Sequence, residues 1–391
     1  MQYSTSAKQL ESLLQIDFNL QTKENISQYD EIAGEFANSI ILVGVGEIGK
    51  KALAGLKKIG INPLSFADNN KTLWGKTVGG LIVLSPMDAA RKYGQTATFV
   101  VTVYNNSPLV DQLHKLNCQR VVSFTFLFWK YHKIFLPYGS LDVLEKISRE
   151  KDEISRMYSL WADDESRDEY FRQLQWRLQL DMTCLKPPLP IKQMYFPSDL
   201  VTFTENESFV DCGAFDGDSI RNFIHDRNMR FNHIMAIEPD TSNFLKLNNF
   251  IKSFPAEIQN RIYTRQCAVA SRPGKIRFEA TGTAGSTIAP EGGTEVECAT
   301  LDELTKGIPP TLVKMDIEGA EEDALKGARD LIAKGNCIWV VCLYHRSEDL
   351  WRIPLFIRSL NSNYYFFLRR YAEDSWEEIC YAIPRERVRY S

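Results

Sequence analysis

The stretch SFVDCGAFDGDS, residues 208–219, decides how the second half of this chain is read. An apolar run ends in Asp211 and Gly213, and a polar turn then leads into a helical pattern, which is the outline of a strand, a loop and a helix. Glycine at 213 and 217 permits positive φ and lets a ligand come close to the backbone. A phosphate-binding loop would supply a lysine, whereas this one carries Asp211, Asp216 and Asp218. Three carboxylates repel a pyrophosphate and suit a cation that bears an ammonium and a sulfonium. The whole loop is predicted to cradle the cofactor, with Ala214, Phe215 and Ser219 beside the acids and glycines. The plainer alternative is that Asp216 and Asp218 only cap a helix N-terminus.

About 20 residues further on, a second strand ends in Ala236-Ile-Glu-Pro239. That spacing places Glu238, followed by Pro239, where one carboxylate can take two ribose hydroxyls. A third strand end, Gln266-Cys-Ala-Val269, puts small residues including Ala268 beside an adenine ring. Thr311-Leu-Val-Lys-Met-Asp-Ile-Glu-Gly-Ala-Glu321 then releases Asp316, Glu318 and Glu321, and CIWVVCLYH delivers His345 at the next strand end. Methyl transfer to a hydroxyl needs an in-line oxygen and a proton acceptor, so His345 is predicted as the base, with Asp316 and Glu318 beside it as catalytic acids. Asp316 doubles as a cofactor contact. Hard oxygen ligands also suit Mg²⁺, but such acid clusters occur without metal, and no metal site is assigned.

Working outward, strands alternate with helices from Ser208 to Tyr344, and NYYFFLRRY and EEICYAIP follow as an antiparallel hairpin. This pattern predicts a doubly wound α/β sheet. The first half shows the same alternation. SIILVGVGEIG, KKALAGLKKIG and PLSFADNN form a βαβ unit, continued by TATFVVTVYN and RVVSFTFLF. Gly44, Gly46 and Gly49 follow a strand and open a helix, and Asp68 ends the next strand, which is the setting a dinucleotide fingerprint requires. No Tyr-x-x-x-Lys of a short-chain dehydrogenase accompanies it. The predicted organisation is a helical segment at 1–36, a Rossmann-like domain at 37–137, a helical linker at 138–186 and a catalytic domain at 187–391. The prolines of KPPLP at 186–190 mark the last boundary, because proline cannot continue a helix.

Composition narrows the function classes. With 391 residues, 44% hydrophobic and 25% charged, the chain is long enough for two cores and reads as a soluble globular protein. A net charge of -4 with no basic run disfavours a nucleic-acid substrate. No leader pattern or bilayer-length apolar stretch is seen, so a cytoplasmic enzyme is expected. Eight cysteines, scattered and without zinc spacing, predict buried free thiols.

FVDCGAFDGDSI, AIEPD with NFLKLNNFI, LVKMDIEGAEEDALKGARDLI, and LYHRSEDLWRIPLFI with NYYFFLRRY resemble the FkbM family of S-adenosylmethionine-dependent methyltransferases. The resemblance spans nearly all of residues 195–385. It implies a class I methyltransferase fold, S-adenosylmethionine held around Asp211, Gly213, Ala214, Gly217 and Glu238, and usually O-methylation of a small-molecule or glycan acceptor such as a sugar hydroxyl. In the first half, FADNNKTLWGKTVGGLIVLSP resembles the nucleotide-sugar-binding stretch of sugar acetyltransferases. That likeness implies a nucleotide or nucleotide-sugar site, an NAD site, or a scaffold kept for packing or homodimer formation. Two other functions compete with methyl transfer: an NAD-linked oxidoreductase centred on Gly44, and a non-enzymatic nucleotide sensor. Tyr195, Phe196, Ser286 and Trp351 are predicted to line the acceptor pocket.

Overall fold

The structure, a computed structural model, describes residues 5–104, 107–279, 287–288, 293–373 and 375–389. It divides the chain into one unit of residues 11–149 and 172–185, and another of residues 1–10, 150–171 and 186–391.

In the first unit the strands are β1 (Ile40–Val43), β2 (Ser65–Ala67), β3 (Thr77–Val78), β4 (Leu81–Leu84), β5 (Thr98–Val101) and β6 (Arg120–Ser123). They lie in the order β3-β4-β2-β1-β5-β6, all parallel except β3. β1 and β5 are buried at every position, as uninterrupted apolar strands in a parallel sheet must be. The sequence reading did not include the β3–β4 hairpin. Its signal is Gly79-Gly80, both at positive φ, which suits a two-residue turn between antiparallel strands.

The main sheet of the other unit contains β7 (Ser208–Cys212), β8 (His233–Ile237), β9 (Ile262–Arg265), β14 (Leu312–Met315), β15 (Ile338–Cys342), β16 (Tyr364–Arg370) and β17 (Glu378–Pro384). Their order is β16-β17-β15-β14-β7-β8-β9, five parallel strands followed by an antiparallel hairpin. The chain reverses direction on either side of β7 and β14, so the loops after these strands open a crevice at their C-terminal ends. Phe209, Phe223, Ile234, Leu247, Leu312, Val340 and Tyr381 belong to the core around this sheet. The doubly wound α/β fold expected from the alternation is present.

One strand departs from the expectation. The run YTRQCAVA divides into β9, paired with β8, and β10 (Ala268–Val269), which pairs instead with β13 (Thr294–Ala299). β10 and β13 form a small second sheet with β11 (Gly274–Glu279) and β12 (Thr287–Ile288). The alternation in Lys275-Ile276-Arg277 and Glu295-Val296-Glu297-Cys298, with the charged positions exposed, was a legible strand signal that the sequence reading did not use.

All the cysteines except Cys184 are buried. Among the described residues, no helix is long and apolar enough to cross a membrane.

Candidate active site

A cavity of about 1030 Å³, including its mouth, opens at the C-terminal ends of the main-sheet strands. Sheet order sets out its wall. Glu377 stands before β17, Tyr344 follows β15, Asp316 and Glu318 follow β14, Gly213, Phe215 and Asp218 follow β7, Glu238 and Pro239 follow β8, and Cys267 to Val269 follow β9. Adjacent strands lie about 4.8 Å apart, so the rim from β8 to β17 runs for roughly 19 Å.

Glu238 anchors one end. Its Oε2 accepts the Phe215 amide at 2.9 Å and its Oε1 accepts the Asp240 amide at 2.8 Å. The carboxylate is therefore oriented by two donors and keeps lone pairs toward the cavity. Burial pushes its carboxyl up to about 7, partly offset by those two amides.

The other end is built on Asp316, which accepts hydroxyls from Tyr195 at 2.9 Å and Tyr344 at 3.2 Å. Burial would raise its carboxyl, but Lys314, His345 and Tyr195 hold it below the usual carboxylate range. The His345 side chain is 4% exposed, with Nδ1 2.8 Å from Glu321 Oε1 and Nε2 3.4 Å from Asp316 Oδ1 and 3.7 Å from Glu318 Oε2. Burial would lower the imidazole, yet Glu321 first, then Asp316 and Glu318, push it up to about 10.

Residues 211–371 match the model of the methyltransferase FkbM domain. The chain carries an FkbM-family methyltransferase domain. Among solved structures, an FkbM methyltransferase from Methylobacillus flagellatus KT is 22% identical, covers 94% of this chain and 100% of its own, and superposes with a TM-score of 0.74. That agreement establishes a shared fold. A putative rRNA methylase from Clostridium thermocellum is 8% identical over 47% of this chain and 88% of its own, with a TM-score of 0.31. A precorrin-6y C5,15-methyltransferase from Geobacter metallireducens GS-15 is 12% identical over 47% and 83%, with a TM-score of 0.29. No curated protein matches the chain in sequence.

Of the residues predicted from sequence, Gly213, Phe215, Asp218, Glu238, Pro239, Ala268, Asp316 and Glu318 line the FkbM-domain cavity, and Asp211, Ala214, Asp216, Gly217, Ser219 and His345 do not. Asp211 needs a correction. It is fully buried beneath the loop, with Lys314 Nζ 3.1 Å from its Oδ1 and the Ser219 hydroxyl donating to its Oδ2. The β7–β14 register pairs Lys314 with Asp211, and Lys314 also donates to the Gly213 carbonyl at 2.8 Å. Three neighbouring carboxylates, Asp211 foremost, keep this lysine charged against the pull of burial. Asp211 therefore holds the loop through Lys314 and Ser219 and does not line the cavity.

The positive φ expected at Gly213 and Gly217 is present, and close packing adds a second constraint. A Cβ on Gly213 would lie 1.9 Å from the Asp316 carbonyl, and one on Gly217 would lie 2.4 Å from the Phe250 ring. Both glycines admit neighbouring parts of the chain, besides allowing φ of +81° and +93°.

His345 needs a correction too. A neutral imidazole was expected, whereas the surrounding carboxylates favour the charged form, which has no lone pair with which to accept a proton. Asp316, Glu321 and His345 offer ligand atoms within 4.8 Å of one another, a donor set that a divalent ion takes. Of the predicted acceptor lining, Tyr195 faces the cavity, Phe196 belongs to the core, and Trp351 is fully buried with its Nε1 on Glu150 at 2.6 Å. Ser286 lies outside the described residues.

Sequence reasoning missed Lys314 and Glu377. A lysine inside the apolar strand LVKMDI was a legible signal, since a buried charge demands a partner. Glu377 required the direction of β17.

In the first unit, the Asp68 carboxylate accepts the Val45 amide at 2.9 Å and the Asn70 amide at 2.7 Å. A Cβ on Gly49 would come within 2.1 Å of the Gly44 carbonyl, so that glycine serves helix packing. Gly44, Gly46, Gly49 and Asp68 are not among the residues that line the groove on this unit. The groove on this unit is lined by other residues, among them Asn69, Lys71, Trp74, Ser85, Met87 and Lys115.

Proposed function

We propose that this protein transfers a methyl group from S-adenosylmethionine to a hydroxyl of a sugar or glycan precursor. The observation that carries the proposal is Glu238. It is a carboxylate held by two backbone amides at the end of the second strand, in a cavity built mostly by the FkbM domain, whose charged lining is acidic apart from Lys314. The donor set fits a sulfonium nucleoside. Glu238 would hold the ribose hydroxyls, Cys267 to Val269 would border the adenine, and Asp218 would face the ammonium. When bound, the group supplies an electrophilic methyl.

Asp218, Glu238, Asp316, Glu318 and Glu377 surround the cavity with one lysine, Lys314, which is turned to Asp211 and Gly213. A wall of that sign favours a cationic donor and a neutral hydroxyl acceptor, and it disfavours anionic acceptors.

The test is calorimetric titration with S-adenosylmethionine. Glu238→Ala is expected to weaken binding about 100-fold, since hydrogen bonds to a charged group contribute about 1.5–3 kcal/mol each. Wild-type affinity should rise between pH 6 and pH 8. Ribose hydroxyls bind the carboxylate form, which becomes dominant above about 7. Equal affinity in the variant would remove the assignment. Radiolabelled methyl donor with a panel of neutral sugars then tests the acceptor class.

The NAD reading draws no support from the glycine loop, where Asp68 holds the Val45 amide that a pyrophosphate would need. NAD(H) is expected to leave the melting temperature unchanged, whereas S-adenosylmethionine raises it.

A further inference from the structure

We propose that Glu377 is the base that takes the proton from the acceptor hydroxyl. This rests on the reading of the cavity as a methyl-donor site.

The topology puts Glu377 there. β17 runs antiparallel to β15, with Ile379 beside Cys342, so the start of β17 reaches the same rim as the ends of the parallel strands. Glu377 is the last residue before it and lines the cavity. Sheet order separates it from Glu238 by β15, β14 and β7. Glu377 is thus at the end of the cavity away from the ribose carboxylate, as an acceptor group must be. Its φ of +54° is unusual for a residue with a Cβ, and the Tyr371 amide on its carbonyl at 3.0 Å closes the loop that holds it.

The neighbouring groups are committed elsewhere. Asp316 is taken by two tyrosine hydroxyls, and His345 is buried outside the cavity lining with Nδ1 2.8 Å from Glu321 Oε1 and Nε2 3.4 Å from Asp316 Oδ1. Glu318 has Oε2 facing that Nε2 at 3.7 Å. Glu377 Oε2 is shielded from water and has no hydrogen-bond partner among the described residues. A carboxylate at a cavity wall with one buried oxygen unsatisfied is an acceptor that a small side-chain rotation brings to a donor in the cavity. Asp316, His345, Lys314 and Asp218 face it as charged groups, and Tyr195 and Tyr344 lie in the same cluster. Burial pushes its carboxyl up to about 7, where a general base operates well.

In the step, a lone pair of the acceptor oxygen forms the new C–O bond as the C–S bond breaks. The C–S electron pair stays on sulfur, which becomes a neutral thioether. The hydroxyl proton passes to the Glu377 carboxylate, and the acceptor leaves as a neutral ether.

The experiment compares two ligands that need no acceptor. S-adenosylhomocysteine lacks the transferred methyl, and sinefungin carries an ammonium-bearing carbon in place of the sulfonium and its methyl. A carboxylate at the transfer position should favour sinefungin through a charge-assisted hydrogen bond. Glu377→Gln is expected to lower the sinefungin affinity, relative to that of S-adenosylhomocysteine, by about tenfold or more, while S-adenosylhomocysteine binds as in wild type. Glu318→Gln should change the ratio by less than about threefold. Glu377→Asp, which keeps the charge but retracts it, is the second variant and should also lower the ratio if Glu377→Gln does not fold. An unchanged ratio in the Glu377 variants overturns the proposal, as does an equal or larger fall in Glu318→Gln. If S-adenosylhomocysteine fails to bind wild type, the donor-site reading fails first, and that outcome is distinct from a loss confined to the ratio.

Discussion

Replacing Asp211 with alanine is expected to lower the unfolding free energy by about 3–5 kcal/mol, the usual range for removing one member of a buried ion pair. The Lys314 side chain is 3% exposed and that of Asp211 is not exposed at all, so water cannot take over the abandoned charge. Lys314 would keep only the Gly213 carbonyl as a close hydrogen-bond partner, with Asp316 and Asp218 further off. Denaturant midpoints, read at constant slope, measure the loss. The double variant Asp211→Ala with Lys314→Met should recover most of it, because no unpaired charge then remains. Simple addition of the two single losses would show that the groups do not act as a pair. If Asp211 instead touched the cofactor, the single variant would keep its stability and lose only affinity.

The second large effect concerns His345. Its imidazole is pushed up to about 10 from an ordinary 6.5, so the native state binds a proton that the unfolded chain releases. The stabilisation is fully present below pH 6.5 and is lost as the pH rises through about 10. Wild-type stability is therefore expected to decline across that window, by on the order of 3–5 kcal/mol in total. His345→Asn should be less stable at pH 7, since Glu321 and Asp316 lose their cation, and its stability should be nearly flat from pH 8 to pH 10. Glu238, Glu318 and Glu377, each raised from 4.5 to about 7, also make stability fall with rising pH, but in the lower window of 4.5 to 7. Measurements above pH 8 separate the two contributions. Parallel pH profiles for wild type and His345→Asn in that range would count against a charged His345.

Much of the site could be read along the chain. Glu238 was placed by its spacing from the glycine loop, and Asp316 and Glu318 by their position after an apolar strand. What periodicity could not supply was the state of each group. His345 was expected as a neutral base, and the pull toward its charged form comes first from Glu321, which reaches it from the start of the helix that follows β14. Asp211 was grouped with Asp216 and Asp218 because the three are close in sequence. Strand alternation and the β7–β14 register instead turn Asp211 inward to Lys314. Glu377 was invisible because its meaning comes from the direction in which β17 enters the sheet.

The order of apolar runs, helix patterns and turn residues was sufficient for two α/β units and for a methyltransferase-like crevice, since those features depend on local periodicity and on the single hand of strand crossovers. Which carboxylates carry charge, which face the cavity and which are bound to a buried cation depended on contacts between residues about 20 to 180 positions apart. Electrostatic and desolvation energies follow distance in space, and separation along the chain holds no record of that distance until the sheet has assembled.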